Sequence, residues 1–185
     1  MTSMTSMTSI TPSWPSQIYD ELKLFDVSQV AYVPDAGHSD LILRCQADAA
    51  ILTVSLTTEE EGVAMLSGAW LGGAKGVLLM QSSGAGNCIN MLTLNAECRI
   101  PLLMLVTMRG DFGEGNPQQL PMGRGLQAAL EAVGVIVLRA DRADEVAETV
   151  RAGARMAFLS YRAVAVLIGQ RVIGAKAMKK EPADG

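Results

Sequence analysis

The chain has 185 residues, 49% hydrophobic, 18% charged and 4% aromatic, with a formal net charge of −4 and a pI near 5.0. That length suits one domain with a substantial core, and the apolar composition excludes a disordered chain. An acidic chain poor in aromatics lacks the cationic field and stacking platform that nucleic acid requires, and no apolar run approaches the roughly 20 residues of a membrane span, so neither partner is expected.

In chain order, Met1 to Ser9 repeat Met-Thr-Ser three times, without the charged and apolar regions of a signal peptide. Residues 1–15 therefore read as a mobile tail ending at Pro12 and Pro15, residues 16–176 as one domain, and residues 177–185 as a C-terminal tail. Ile18, Leu22 and Phe25 form a helical stripe, followed by a strand at Val30–Val33 and a polar loop from Pro34 to Asp40. A strand at Ala50–Val54 precedes a helix that is apolar almost all round from Val63 to Leu71, expected to lie between the sheet and another subunit. Then come a strand at Gly76–Met80, a glycine turn from Gln81 to Asn87, a strand at Leu102–Val106 and a long loop from Thr107 to Pro117. Strands at Val135–Leu138 and Ala163–Ile168 flank a helix with the stripe Val146, Val150, Ala154, Ala157 and Phe158, for which Asp141 is the expected cap. Short apolar strands alternating with helices predict a three-layer α/β/α fold around a six-stranded, mostly parallel sheet. Right-handed crossovers place every strand-to-helix loop at the carboxyl edge, where such sheets bind ligands.

Cys45, Cys88 and Cys98 form no CxxC pair and leave an odd thiol, which suits the reducing cytoplasm. His38 is the only histidine, so no metal cluster or triad needing two imidazoles is expected within the chain. Each candidate motif has a plain structural reading beside a functional one. Thr57-x-x-Glu60 and Thr58-x-x-Glu61 both fit a capping box, yet a carboxylate entering a helix apolar on all faces is open to desolvation and proton sharing. Gln81-Ser82-Ser83-Gly84-Ala85-Gly86-Asn87 is neither a dinucleotide fingerprint nor a P-loop; it is either a tight capped turn or a place where something approaches the backbone closely. The loop Arg109 to Gln119 is either a solvated surface loop or a binding loop with Arg109 as its anion receptor. His38 is either a hydrogen-bonded loop residue or a catalyst.

Taken as an ordered series, these segments resemble the pyrimidine-binding domain of thiamine diphosphate enzymes, and within them the sulfopyruvate and phosphonopyruvate decarboxylases. The residues that carry the resemblance are Val33-Pro34-Asp35, Glu59-Glu60-Glu61-Gly62-Val63 running to Gly68-Ala69-Trp70-Leu71-Gly72-Gly73, Met80 to Asn87, Pro101-Leu102-Leu103-Met104, Arg109-Gly110, Pro117-Gln118 and Met122-Gly123. The resemblance implies a glutamate at the start of the buried helix that hydrogen-bonds N1′ of the aminopyrimidine; by position relative to Gly62 and Trp70 this is Glu60. It implies that Gln81, Ser82, Ser83, Gly84 and Asn87 lie along the cofactor or substrate, and that Asp35, His38, Arg109 and Gln118 face the reacting carbon. In this family a separate domain carrying Gly-Asp-Gly holds the diphosphate and its Mg²⁺, and Gly110-Asp111-Phe112 does not match that motif. The expectation is therefore half an enzyme: the pyrimidine-binding chain of a hetero-oligomeric 2-oxo acid decarboxylase, completed by a beta subunit that holds the Mg²⁺. Sulfopyruvate is the expected substrate, with phosphonopyruvate or another 2-oxo acid as the alternative. A non-catalytic nucleotide-binding α/β module is the reading from outside enzymology.

Overall fold

In the computed structural model, which describes residues 13–174, helix α1 spans Trp14–Leu24 and leads into β1, Val27–Tyr32. A 3-10 turn at Ala36–His38 and α2, Ser39–Ala47, precede β2, Leu52–Ser55. Helix α3, Glu59–Leu71, connects to β3, Lys75–Gln81, which runs directly into α4, Ser82–Asn87. Then follow α5, Ile89–Cys98, and β4, Leu102–Thr107. After a long loop and a 3-10 turn at Pro117–Gln119 come α6, Leu120–Ala132, and β5, Ile136–Ala140. Helix α7, Val146–Ser160, β6, Ala163–Ile168, and α8, Gln170–Ile173, complete the described chain.

All six expected strands are present, in the order β2-β1-β3-β4-β6-β5, and every neighbouring pair is parallel. Every residue of β4 and β6 is buried, because helices cover both faces and leave no wet side to impose alternation. On one face Ile18, Leu41, Val150 and Phe158 pack on Val30, Leu79, Leu105 and Val166. On the other, Val63, Leu66, Leu92, Leu126 and Leu130 pack on Leu78, Met80, Met104 and Val106. Truncating any one of these buried leucines to alanine costs about 2–5 kcal/mol, so both faces are needed for stability.

Strand ends shift by up to three residues, the expected glycine turn is wound as α4, and two helix starts differ from expectation. Helix α1 starts at Trp14 with Pro15 buried in its first turn, so the tail drawn through residue 15 runs into the domain. Proline is at home there because the N–H it lacks would have no intrahelical partner. Residues 1–12 and the C-terminal tail at 177–185 lie outside the described residues. Helix α7 begins at Val146 behind Glu145 rather than behind Asp141, whose carboxylate is engaged by Arg139 at 3.0 Å.

The chain passes from β1 outward to β2 and returns on the other side of β1 to form β3. The loops after β1 and β3 therefore leave toward opposite faces and open a crevice at the carboxyl edge. Asp35 stands on one side of that switch point, Gln81 and α4 on the other.

Candidate active site

The three glutamates that open α3 have three different fates. Glu61 accepts a hydrogen bond from the Thr57 N–H at 3.0 Å, so it serves the helix start, one residue earlier than a standard capping box would. Glu60 accepts from the Thr58 hydroxyl, and that bond holds its carboxyl below the ordinary carboxylate range. Glu59 turns inward and is only 8% exposed. The shielding expected for Glu60 thus belongs to Glu59. The reason is helical geometry: Glu59, Val63 and Leu66 stand at i, i+4 and i+7 and share the face that packs on the sheet. That periodicity was the signal in the sequence that points to Glu59. Gly62 brings the face close, since a Cβ there would sit 2.5 Å from Leu78 Cδ1 and 2.7 Å from Leu56 Cδ1.

The glycine turn explains where the Glu59 carboxylate goes. A Cβ on Gly84 would lie 2.0 Å from Glu59 Oε1, so the group that approaches the Gly84 backbone is this carboxylate. Gly86 is approached in the same way by Met122, whose Cε would be 2.7 Å from an added Cβ. Asn87 Nδ2 donates to Glu59 Oε2 at 3.5 Å. Gln81 ends β3 with its Oε1 buried and without a partner among the described residues. Ser83 is half-buried. Ser82, expected to contact the cofactor, is instead fully buried: its Oγ accepts from the Arg109 N–H at 3.0 Å and reaches the Arg109 carbonyl at 3.3 Å. Cys88, behind the turn, has its thiol pushed up to about 12 by burial and by the negative charge of Glu59 and Glu60.

Across the switch point, Asp35, Gly37, Thr107 and Arg109 line a cleft of about 190 Å³. Thr107 donates to Asp35 Oδ2 at 2.5 Å, and the Gly37 N–H donates to the same oxygen at 3.2 Å. A larger depression of about 580 Å³ between the starts of α1 and α2 and the end of α8 contains none of the expected site residues. Of the four residues expected to face the reacting carbon, two are not in the cleft. His38 lies beneath it, 1% exposed, with Nε2 at 3.0 Å from the Leu105 carbonyl, and burial lowers its pKa. A neutral imidazole wedged under the sheet edge is the structural outcome weighed above. Gln118 is exposed, on the 3-10 turn beyond the loop.

Arg109 is the most constrained group of the cleft. Its Nε and Nη2 donate to the two carboxylate oxygens of Glu114 at 2.7 and 2.9 Å, the bidentate pairing for which guanidinium is shaped. That pairing holds the Glu114 carboxyl down at about 2 and raises the Arg109 pKa further. Arg109 Nη1 makes no hydrogen bond among the described residues. Thr107 and Gln170, which brace this side of the site, were not singled out by sequence reasoning.

This shielded carboxylate beside a glycine turn sits in a recognisable architecture. The fold is that of a domain of thiamine diphosphate-dependent enzymes. A protein described as a thiamin diphosphate-dependent enzyme from Mycobacterium smegmatis matches 95% of the chain and 34% of its own length, with a TM-score of 0.63 and 16% identity. The 2-oxoglutarate:ferredoxin oxidoreductase from Magnetococcus marinus matches 88% of the chain and 29% of its own, with a TM-score of 0.73 and 16% identity. The chain thus spans about a third of those proteins. In sequence it is 33% identical over 146 residues to the sulfopyruvate decarboxylase subunit alpha of Methanocaldococcus jannaschii, across 78% of this chain and 86% of the relative. It is 32% identical over 152 residues to the subunit of the same name from Methanothermobacter thermautotrophicus, across 82% and 92%. The phosphonopyruvate decarboxylase of Streptomyces viridochromogenes is 43% identical over 100 residues, 53% of this chain and 25% of that enzyme. No protein-family model matches the sequence. The chain belongs to the sulfopyruvate decarboxylase alpha-subunit family.

Proposed function

We propose that this chain is the pyrimidine-binding subunit of a heteromeric, thiamine diphosphate-dependent decarboxylase that converts sulfopyruvate and a proton to sulfoacetaldehyde and carbon dioxide. The observation that carries the reading is the buried Glu59 carboxylate seated against Gly84. Thiamine diphosphate, when bound, supplies an electron sink for the carbon that loses carbon dioxide. The residues present suit its aminopyrimidine. Glu59, removed from water, is placed to hydrogen-bond a weakly basic ring nitrogen. The unpartnered Gln81 Oε1 would receive a hydrogen bond from the ring's amino group. Glu60, half-buried and hydrogen-bonded by Thr58, is the second candidate for that role.

Asp35 and Arg109 face the cleft together, and Arg109 offers its remaining guanidinium hydrogens to the sulfonate at the far end of the substrate. The diphosphate and Mg²⁺ fall to a partner subunit; among the described residues no group of three or more His, Cys, Asp or Glu side chains could hold a metal ion. The outer face of α3, where Ala64, Gly68 and the 77% exposed Leu71 are open in the single chain, is the surface reserved for that partner. Among the described residues no helix is long and apolar enough to cross a membrane. The unpaired Cys45, Cys88 and Cys98 support a cytoplasmic setting.

The test is proton–deuterium exchange at the cofactor C2 in the assembled enzyme. Glu59→Gln should slow exchange by about 10²–10⁴-fold while Glu60→Gln leaves it unchanged. The reverse order returns the role to Glu60, and normal exchange in both variants defeats the reading. Phosphonopyruvate is the competing substrate, favoured by the 43% identity to the Streptomyces enzyme over 100 residues. A direct kcat/KM comparison of the two acids decides between them.

A further inference from the structure

The loop from Arg109 to Gln119 is organised around a residue distant in sequence. Gln170, the first residue of α8, is 1% exposed. Its Oε1 accepts from the backbone N–H groups of Asp111 and Phe112 at 3.0 and 2.9 Å. Its Nε2 donates to Glu114 Oε2 at 3.0 Å, the same oxygen that receives Arg109 Nε. Glu114 collects five hydrogen bonds: two from Arg109, one each from the N–H groups of Gly110 and Asn116, and one from Gln170. Around this amide, Arg171 stacks over the Phe112 ring at 4.0 Å from its centroid, and Arg139 pairs with Asp111. Every polar atom of the Gln170 side chain is engaged with one loop, and nothing else in the fold requires a buried amide there. A leucine would fill the space and leave two amides and a carboxylate oxygen short of partners.

We infer that Gln170 is a positioning residue for substrate recognition: it fixes Glu114, and Glu114 in turn aims the Arg109 guanidinium at the distal anion of the 2-oxo acid. A guanidinium on an unrestrained glycine-rich loop would sample many rotamers, and each frozen before substrate arrives is entropy not lost on binding. The inference rests on the assignment of Arg109 to the substrate anion. It adds that specificity is set partly from the end of β6, where no substrate contact exists.

Gln170→Glu is the sharpest probe. It is isosteric and keeps an oxygen for the two amides, yet sets a second carboxylate against Glu114. In the assembled enzyme it should raise KM for sulfopyruvate about tenfold with little change in kcat, leave pyruvate turnover as it was, and add nothing in an Arg109→Met background. Below about pH 5 the two carboxyls can share a proton, so the KM defect should shrink as pH falls, a trend a loosened scaffold would not show. Wild-type KM in Gln170→Glu, or equal losses for both acids that persist beside Arg109→Met, overturns the inference. Arg109→Met alone tests the underlying assignment: an unchanged ratio between the two acids removes Arg109 from recognition whatever Gln170 does. Should Gln170→Glu fail to fold, amide hydrogen exchange in the full chain carrying Gln170→Met gives the answer. Loss of protection at Asp111 and Phe112 supports the clamp, and unchanged protection overturns it.

Discussion

Glu59 and Arg109 stand near the ends of adjacent strands, linked through α4 and the Ser82 hydroxyl, yet they are held by opposite means. Glu59 is placed by packing. Its helix is pressed on the sheet by Gly62, and its carboxylate occupies the space that the missing Gly84 side chain leaves. Arg109 is placed by hydrogen bonds, from Ser82 to its backbone and from its side chain to Glu114. A packed group can move only if backbone moves, whereas a hydrogen-bonded one tolerates neighbouring change but depends on each partner's charge. That division suits the two roles proposed for them, a proton-sharing carboxylate on one side and a reader of the substrate anion on the other.

The largest effect should come from disturbing the packed side. Gly84→Ala places a Cβ where Glu59 Oε1 now lies, 2.0 Å away, so the carboxylate must withdraw. Displacing a catalytic group by about 1 Å costs about 10²-fold in turnover, while overpacking costs about 1–3 kcal/mol of stability. Steady-state kinetics beside thermal melts measure both, and full activity in Gly84→Ala would detach Glu59 from the chemistry.

Next in size is the hydrogen-bonded side. Arg109→Met should cost about 2–5 kcal/mol in kcat/KM for sulfopyruvate and almost nothing for pyruvate, which has no distal anion. Equal losses for both acids would show that the pairing with Glu114 serves only the loop.

The two regimes should also separate in acid. Glu114 is held at about 2 against an ordinary 4.5, so its pairing stabilises the fold above about pH 4.5 and that contribution is lost as pH falls toward 2. Buried His38 behaves differently. Its pKa is lowered from 6.5 by desolvation, against the pull of the Asp35 charge, so below about pH 6.5 the unfolded chain takes up a proton that the folded chain refuses, and stability declines. Denaturant midpoints followed from pH 8 to pH 3 should therefore fall in two stages. Glu114→Gln should shrink the lower stage only, since Asp48 is also held down at about 2 by Lys23, and a profile unchanged by that substitution contradicts the assignment. The smallest effect is expected for Gln118→Ala, because the residue is exposed and outside the cleft; its kcat/KM should stay within about twofold of wild type.

The six strands were legible in the chain as short runs rich in Val, Leu and Ile, most continuously in β4 and β6, whose every residue is buried, and the helical stripes of α1 and α7 followed from the same arithmetic. Which glutamate of the triplet is shielded was not legible by counting from Gly62 and Trp70, which says nothing about which way a helix turns its side chains, whereas the i, i+4, i+7 relation of Glu59 to Val63 and Leu66 does. His38, Gln118 and Ser82 were placed at the site by the resemblance, which follows order along the chain and says nothing about which side chains of a loop or turn point into the fold.

Hydrophobic periodicity and glycine placement determined the layers of this protein and the sheet edge at which the candidate site lies, because these depend on local pattern and on the one-handed crossover of parallel strands. Which carboxylate is shielded, which serine is used up as a brace, and how Gln170 comes to govern a loop 56 residues upstream of it were decided only in three dimensions. The strand order seats β6 beside β4, and hydrogen bonding between their ends depends on that adjacency, which no spacing in the chain records.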